Sequence, residues 1–249
     1  VIIKGIAPVL VMVVCAALPV AGLTAEYGAC MAQSRQDPHA ALRLAISWEG
    51  QAGGASARHC RASALIELGQ FSEAAVILEA LAGEHRENPA QYAPLLHQAA
   101  SAWIQAGDPV HALSLLGQVR DITPENATIL EDRAELSVAA GRLWEAVDDL
   151  NTLLDYRPDY GPALLLRASV WQQLDAANLA LADLERALVL SPNDRGALVE
   201  RGVLLCQAGN TSAARRDWMA VILGSPDSAE AERARTHLAT MDIRHSSAP

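Results

Sequence analysis

The sequence predicts an all-α protein assembled from a repeated pair of helices. The first observation behind this is periodicity. Prolines stand at Pro124, Pro158, Pro192 and Pro226, and alanines at Ala112, Ala146, Ala180 and Ala214. A turn position reads Gly107, Gly141, Asp175 and Gly209, and a small residue recurs at Ala100, Ala134, Ala168 and Gly202, every column in steps of 34. Four columns in step over four units define an internal repeat. The second observation is punctuation. A segment such as "ATILEDRAELSVAA" spaces its apolar residues by three and four and ends at a glycine, a helix and its stop. The next, "LWEAVDDLNTLLDY", is again amphipathic and ends before a proline, which a helix does not carry undisturbed. The third is composition: 51% of residues are hydrophobic but only 4% aromatic, with a single Phe. Alanine and leucine therefore supply the core, which favours helix over strand.

In chain order, residues 1–25, "VIIKGIAPVLVMVVCAALPVAGLTA", place one basic residue before an apolar run and small residues after it. That is the order of a secretory signal, with its exit at Leu23-Thr24-Ala25. The alternative is an uncleaved anchor, since Ile6 to Leu23 approaches the ~20 residues that span a bilayer, although Pro8, Pro19 and Gly22 weaken such a helix. Both alternatives export the remainder to the periplasm, free after cleavage or held at the inner membrane. A weak unit follows at 26–54, in which "DPHAALRLAISWEG" supplies a second helix with Ala41 and Trp48. The unit at 55–92 keeps Ala62, Gly69, Phe71 and Ala74 but carries extra residues in "AGEHRENP". Residues 93–126, 127–160, 161–194 and 195–228 are the regular units. Beyond Pro226, "DSAEAERARTHLATMD" reads as a capping helix over 229–243, and 244–249 as a disordered tail.

These small-residue, glycine, alanine and proline columns resemble the tetratricopeptide-repeat family, of an exported bacterial type given the leader. The resemblance implies a right-handed α-solenoid of antiparallel helix pairs, about six repeats with the first degenerate, plus the C-terminal cap. Trp103, Trp144, Trp171 and Trp218 are expected to pack in its core. Outside the leader the cysteines are Cys30, Cys60 and Cys206. Cys30 and Cys60 fall on the first helices of neighbouring units, where an oxidising compartment favours a bridge and two buried thiols are the alternative. Cys206, in "VERGVLLCQAG", reads as a small apolar side chain.

The net charge of −10 and pI near 5.1 repel phosphate backbones and argue against nucleic acid. Lys4 is the sole lysine, so the rest of the chain has no phosphate-loop or Schiff-base lysine. The seven histidines form no H-E-x-x-H, the cysteines no metal-binding pair, and no G-x-S-x-G or G-x-G-x-x-G turn occurs. No catalysis, cofactor or metal is expected. A membrane contact is expected only through an uncleaved leader.

A charge pattern accompanies the repeat: Arg133, Arg167, Arg201 and Arg235 in one column, Asp149, Asp183 and Asp217 in another, both at steps of 34. Because the acids recur in step with the arginines, structural ion pairs are expected; an arginine ladder for an acidic ligand is the alternative. Exposed pairs contribute ~0–1 kcal/mol each, more when half buried.

In the resembled geometry the first helices line a concave groove. Its candidate partner-binding residues are His59 and Ser63, then His97, Ser101 and Gln105, then Glu131 and Glu135, then Ser169, Gln172 and Gln173, and last Gln207. Related chaperone-binding arrays clamp a terminal carboxylate with lysine and asparagine; here His97 and Ser101 occupy matching places, so that clamp is not supported. The function implied is an interaction scaffold or adaptor of the cell envelope that binds a peptide or protein partner. The alternatives are an envelope small-molecule or glycan-binding solenoid, and a permanent accessory subunit of an envelope enzyme.

Overall fold

The computed structural model describes residues 20–246, with side chains over 25–243. Residues 1–19 of the expected leader and 247–249 of the expected tail lie outside the described residues. Residues 20–25 belong to the first helix and 244–246 to the last.

Thirteen helices make up the described residues, with no strand among them. They are α1 (Val20–Gln36), α2 (Pro38–Glu49), α3 (Gly54–Glu67), α4 (Phe71–Glu84), α5 (Pro89–Gln105), α6 (Pro109–Ile122) and α7 (Ala127–Ala139). Then follow α8 (Leu143–Tyr156), α9 (Gly161–Gln173), α10 (Ala177–Leu190), α11 (Arg195–Gln207), α12 (Thr211–Gly224) and α13 (Ala229–Ser246). They run as successive antiparallel pairs in two compact units that divide after residue 77, inside α4.

In the first unit α1 packs on both α2 and α3. The Asp37 carboxylate caps α2 by accepting from the Ala40 amide at 2.9 Å, and Pro38 takes the first-turn place where its missing N–H costs nothing. Cys30 on α1 and Cys60 on α3 are joined by a disulfide across a Cα–Cα distance of 6.1 Å, so the bridge is present rather than two thiols. Both are fully buried beside Ala45 and Met31.

In the second unit each first helix packs on the helix that follows it, α5 on α6, α7 on α8, α9 on α10 and α11 on α12. Successive pairs stack through α6 on α7, α8 on α9 and α10 on α11, and α13 closes the series against α11 and α12. The turns inside each pair need a residue in the left-handed region. Gly107, Gly141 and Gly209 supply it with φ of +83°, +72° and +83°, and Asp175 adopts it without being glycine at φ +56°. A short polar side chain tolerates that region better than a branched one. Side-chain oxygens of Asp108, Asn126, Asp194 and Asn210 accept from the amides that open α6, α7, α11 and α12.

The core is as periodic as the chain. The alanine column at 112, 146, 180 and 214 is wholly buried, and so are Ala100, Ala134 and Ala168 in the small-residue column. Leu96, Leu130, Leu164 and Leu198 form a further buried column on the first helices. On the second helices Leu116, Leu150 and Leu184 are followed at the same place by Trp218. An added Cβ on Gly202 would lie 2.4 Å from Trp218 Nε1, so the large ring is accommodated by the one glycine in the small-residue column. Trp218 also donates its indole N–H to the Val199 carbonyl at 3.1 Å, which satisfies the polar atom it buries.

Two expectations need correction. Only Trp218 of the four tryptophans is fully buried; Trp103 and Trp171 are half-buried, and Trp144 is 64% exposed, standing edge-on to Trp171 at 6.1 Å. Trp144 is the second residue of α8 and lies off the face that turns Ala146, Val147, Leu150, Leu153 and Leu154 into the core, so size did not bury it. The final helix also runs three residues past the expected boundary at 243.

Candidate functional site

The charge columns resolve into a ladder internal to the repeats. Arg133 Nε donates to Asp149 Oδ2 at 2.6 Å, and Arg167 grips Asp183 with two bonds of 2.8 and 2.7 Å. Arg201 does the same to Asp217 at 2.7 and 2.8 Å. Each arginine sits on a first helix and each aspartate on the second helix of the same unit. The carboxylates are buried, unlike surface pairs, with Asp149 and Asp183 at 0% and 3% exposure. Arg120 reaches Asp149 as well, at 3.3 Å from the preceding unit. Burial nevertheless pushes the Asp149 carboxyl up from its ordinary 3.8, outweighing the two guanidinium groups. Arg201 is raised by its bond to Asp217. Arg235 departs from the series, bonding Glu232 on its own helix and the Pro226 carbonyl. Arg133, Arg167 and Arg201 are thus each paired with a buried aspartate of their own unit.

The remaining candidates divide between the two units. In the first, His59 Nδ1 meets the Tyr27 hydroxyl at 2.8 Å, which ties α3 to α1; Ser63 is half-buried on the same helix. Burial raises the Tyr27 phenol above its usual 10.0.

In the second unit the first helices place polar side chains around three depressions. One, of about 330 Å³, lies between α5 and α7, where Ser101 and Gln105 face Asp132 and Glu135 over a floor that includes Ile104 and Leu136. A second, of about 300 Å³, brings Ser169 and Gln172 of α9 opposite Glu200 of α11 and Arg233 of α13, the latter two paired at 3.1 Å. The third, of about 230 Å³, holds Gln207 with Cys206, Trp218 and His237. His237 stacks on the Trp218 ring at 5.4 Å. Cys206 is half-buried and unbridged.

Two candidates serve as struts between neighbouring first helices. His97 Nε2 lies 2.6 Å from the Asp132 carboxylate, linking α5 to α7. Glu131 accepts the Tyr160 hydroxyl at 2.7 Å, linking α7 to the start of α9, with the Arg157 guanidinium over the tyrosine ring at 4.4 Å. The bond to Glu131 raises the Tyr160 phenol above its usual 10.0. Gln173 is exposed and its amide reaches only the Ser169 carbonyl, at 3.5 Å.

The sequence-based selection overlooked Asp132 and Glu200. Both belong to one column with Gln98 and Leu166, spaced by 34 and one residue past His97 and Glu131, so the signal was present in the repeat itself. It also overlooked Arg233, which the irregular last unit hides. Among the described residues no group of three or more His, Cys, Asp or Glu is arranged to hold a metal. No described helix is long and apolar enough to cross a membrane.

Comparison with known proteins agrees with the repeat. Residues 104–170 match the Tetratricopeptide repeat family. DnaJ homolog subfamily C member 3 of Rattus norvegicus is 30% identical over 105 residues, 42% of this chain. That match spans 21%, about a fifth, of the relative's length. A tetratricopeptide repeat protein from Parabacteroides merdae superposes with a TM-score of 0.65 at 24% identity, covering 75% of this chain and 72% of that one. YrrB, described as a TPR protein with an unusual peptide-binding site, superposes with a TM-score of 0.58 at 16% identity, covering 70% and 88%. At those identities the superpositions speak for the fold alone. The matched segment carries the tetratricopeptide repeat, and the helix pairs in step every 34 residues continue the same pattern on either side of it.

Proposed function

We propose that the chain is a protein–protein interaction scaffold of the cell envelope, and that it holds a peptide or protein partner along the first helices of its second unit. The observation that carries this is the run of depressions whose rims are polar and whose floors are apolar, at Ser101–Gln105–Glu135 and again at Ser169–Gln172. Such a surface offers hydrogen bonds to an extended main chain and room for alternate side chains, on helices fixed by the buried Arg–Asp ladder, so the chain itself loses little freedom on binding. YrrB lends the reading an analogy of fold. The disulfide between Cys30 and Cys60 favours an oxidising compartment, in keeping with export.

The test is to crosslink a tagged copy in its native host and follow what co-purifies with Glu135→Arg and Gln172→Ala beside the parent. Glu131 is avoided because its loss would also release Tyr160. The expected result is one stoichiometric protein whose retention falls about tenfold in either variant at unchanged helicity, ~1.4 kcal/mol of binding. Equal retention by parent and variants would move the site off this face.

A further inference from the structure

The outward sides of α8 and α12 are unlike each other and complementary. On α8, Trp144, Asp148 and Asp155 fall along one solvent-facing stripe with Tyr156 on its flank, the tryptophan 64% and the tyrosine 50% exposed. The Asp148 and Asp155 carboxylates make no ion pair or side-chain hydrogen bond; in a chain that pairs its buried acids so consistently, these two are unneutralised. On α12, Arg216, Met219, Ala220 and Leu223 recur at the helical interval, and Leu223 is 75% exposed. Arg216 lacks an ionic partner too, whereas its neighbour Arg215 is held by Asp242 of α13. Two large apolar side chains and an unpaired arginine on one helix thus match two large aromatic side chains and unpaired carboxylates on another. Helix α10 and its mixed Glu185 and Arg186 separate the two faces, so they cannot satisfy each other within one molecule.

We propose that the α8 face of one molecule docks on the α12 face of a second copy. The α8 face runs from residue 144 to 156 and the α12 face from 216 to 223, so the shorter lies within the length of the longer. Laid antiparallel, they seat Trp144 on Leu223 and Met219 of the other copy and bring Arg216 between Asp148 and Asp155. The exposed tryptophan is the anchor, as a large ring emptied of water on contact contributes most at a small interface. The contact joins two different patches, so it repeats head to tail and does not close by two-fold symmetry. Two helix faces of this length bury roughly 800 Å² in all, which makes the association weak and dependent on concentration. It is separate from the first-helix surface proposed for the partner.

The experiment is sedimentation of the purified chain over a range of concentrations, with two variants, Arg216→Glu and the double change Asp148→Asn with Asp155→Asn. All three positions are exposed, so both variants keep the parent's helicity by circular dichroism. The parent's average mass is expected to rise from one chain towards two or more between about 10 μM and 1 mM at low salt, and to fall back in ~0.5 M salt, where the screening length is a few Å. Each variant alone stays monomeric. Mixed one to one they recover pairs and no larger species, because only one variant keeps its α8 face and only the other its α12 face. A parent that stays monomeric throughout overturns the proposal. So does a mixture that remains monomeric. Variants that associate like the parent overturn it as well. Association that Glu135→Arg leaves unchanged keeps this contact distinct from partner binding.

Discussion

Gly202 and Trp218 form a pair that the other regular units write differently, as Ala100 with Leu116, Ala134 with Leu150 and Ala168 with Leu184. Volume is conserved across the two helices while its division changes: the ring gains what the facing residue gives up. Trp218 is buried to 1% exposure and fixed by its bond to Val199, so it has nowhere to retreat from a new methyl group. Gly202→Ala should therefore destabilise the chain by about 2 kcal/mol although alanine is the better helix former. Trp218→Leu alone should leave a cavity beside the glycine and cost about 3 kcal/mol. The two together restore the alanine–leucine pair of the other units, and a denaturant-unfolding cycle should give a favourable coupling near 2 kcal/mol. Additive losses would mean that the two side chains do not share one space.

Within an element pair, the buried aspartate is the feature that sets helix against helix. Arg167 donates to both Asp183 oxygens and also to Asn151 of the previous unit at 2.7 Å, so one guanidinium positions three helices. A surface pair would contribute ~0–1 kcal/mol, but removing one member of a buried pair strands the other in a poorly solvated place and costs roughly 3–5 kcal/mol. Arg167→Leu is expected to show a loss of that size in urea unfolding. Arg167→Leu combined with Asp183→Leu should lose much less, because no charge is then left alone. If the single and double changes cost the same, the ladder acts through packing of the arginine stem. The recurrence of both residues every 34 positions made these pairs legible in advance. Their burial was not legible, because a column of charges looks the same whether the second helix turns it inward or outward.

At the scale of the molecule, the two units are secured by different means. Ala-rich helices with few large side chains make a thin core, and in the first unit a covalent bond between α1 and α3 supplements it. The bridge spans 30 residues, for which the chain-entropy model gives about 3–4 kcal/mol. Replacing Cys30 and Cys60 by alanine should lower amide-exchange protection in α1 to α3 by that amount. Protection in α7 to α12, which holds itself through the repeated ladder and leucine columns, should stay as it was. A loss spread evenly over both would mean that they unfold as one cooperative body.

Periodicity by itself determined the helix pairs, their turns and the alanine and proline columns, because a 34-residue repeat leaves each local choice stated four times over. The resemblance built on that repeat pointed to Ser101, Gln105, Glu135, Ser169, Gln172 and Gln207, which line depressions on the first helices. Only the tertiary structure decided that His97 and Glu131 are also struts, that Trp144 stands in solvent, and that Asp132 and Glu200 belong to those depressions. The physical reason is that a column reports which helix and which turn a residue occupies. Whether its side chain meets solvent, a partner or the core depends on how the next helix is rotated against it, and that rotation is settled by volumes and hydrogen bonds from neighbouring units.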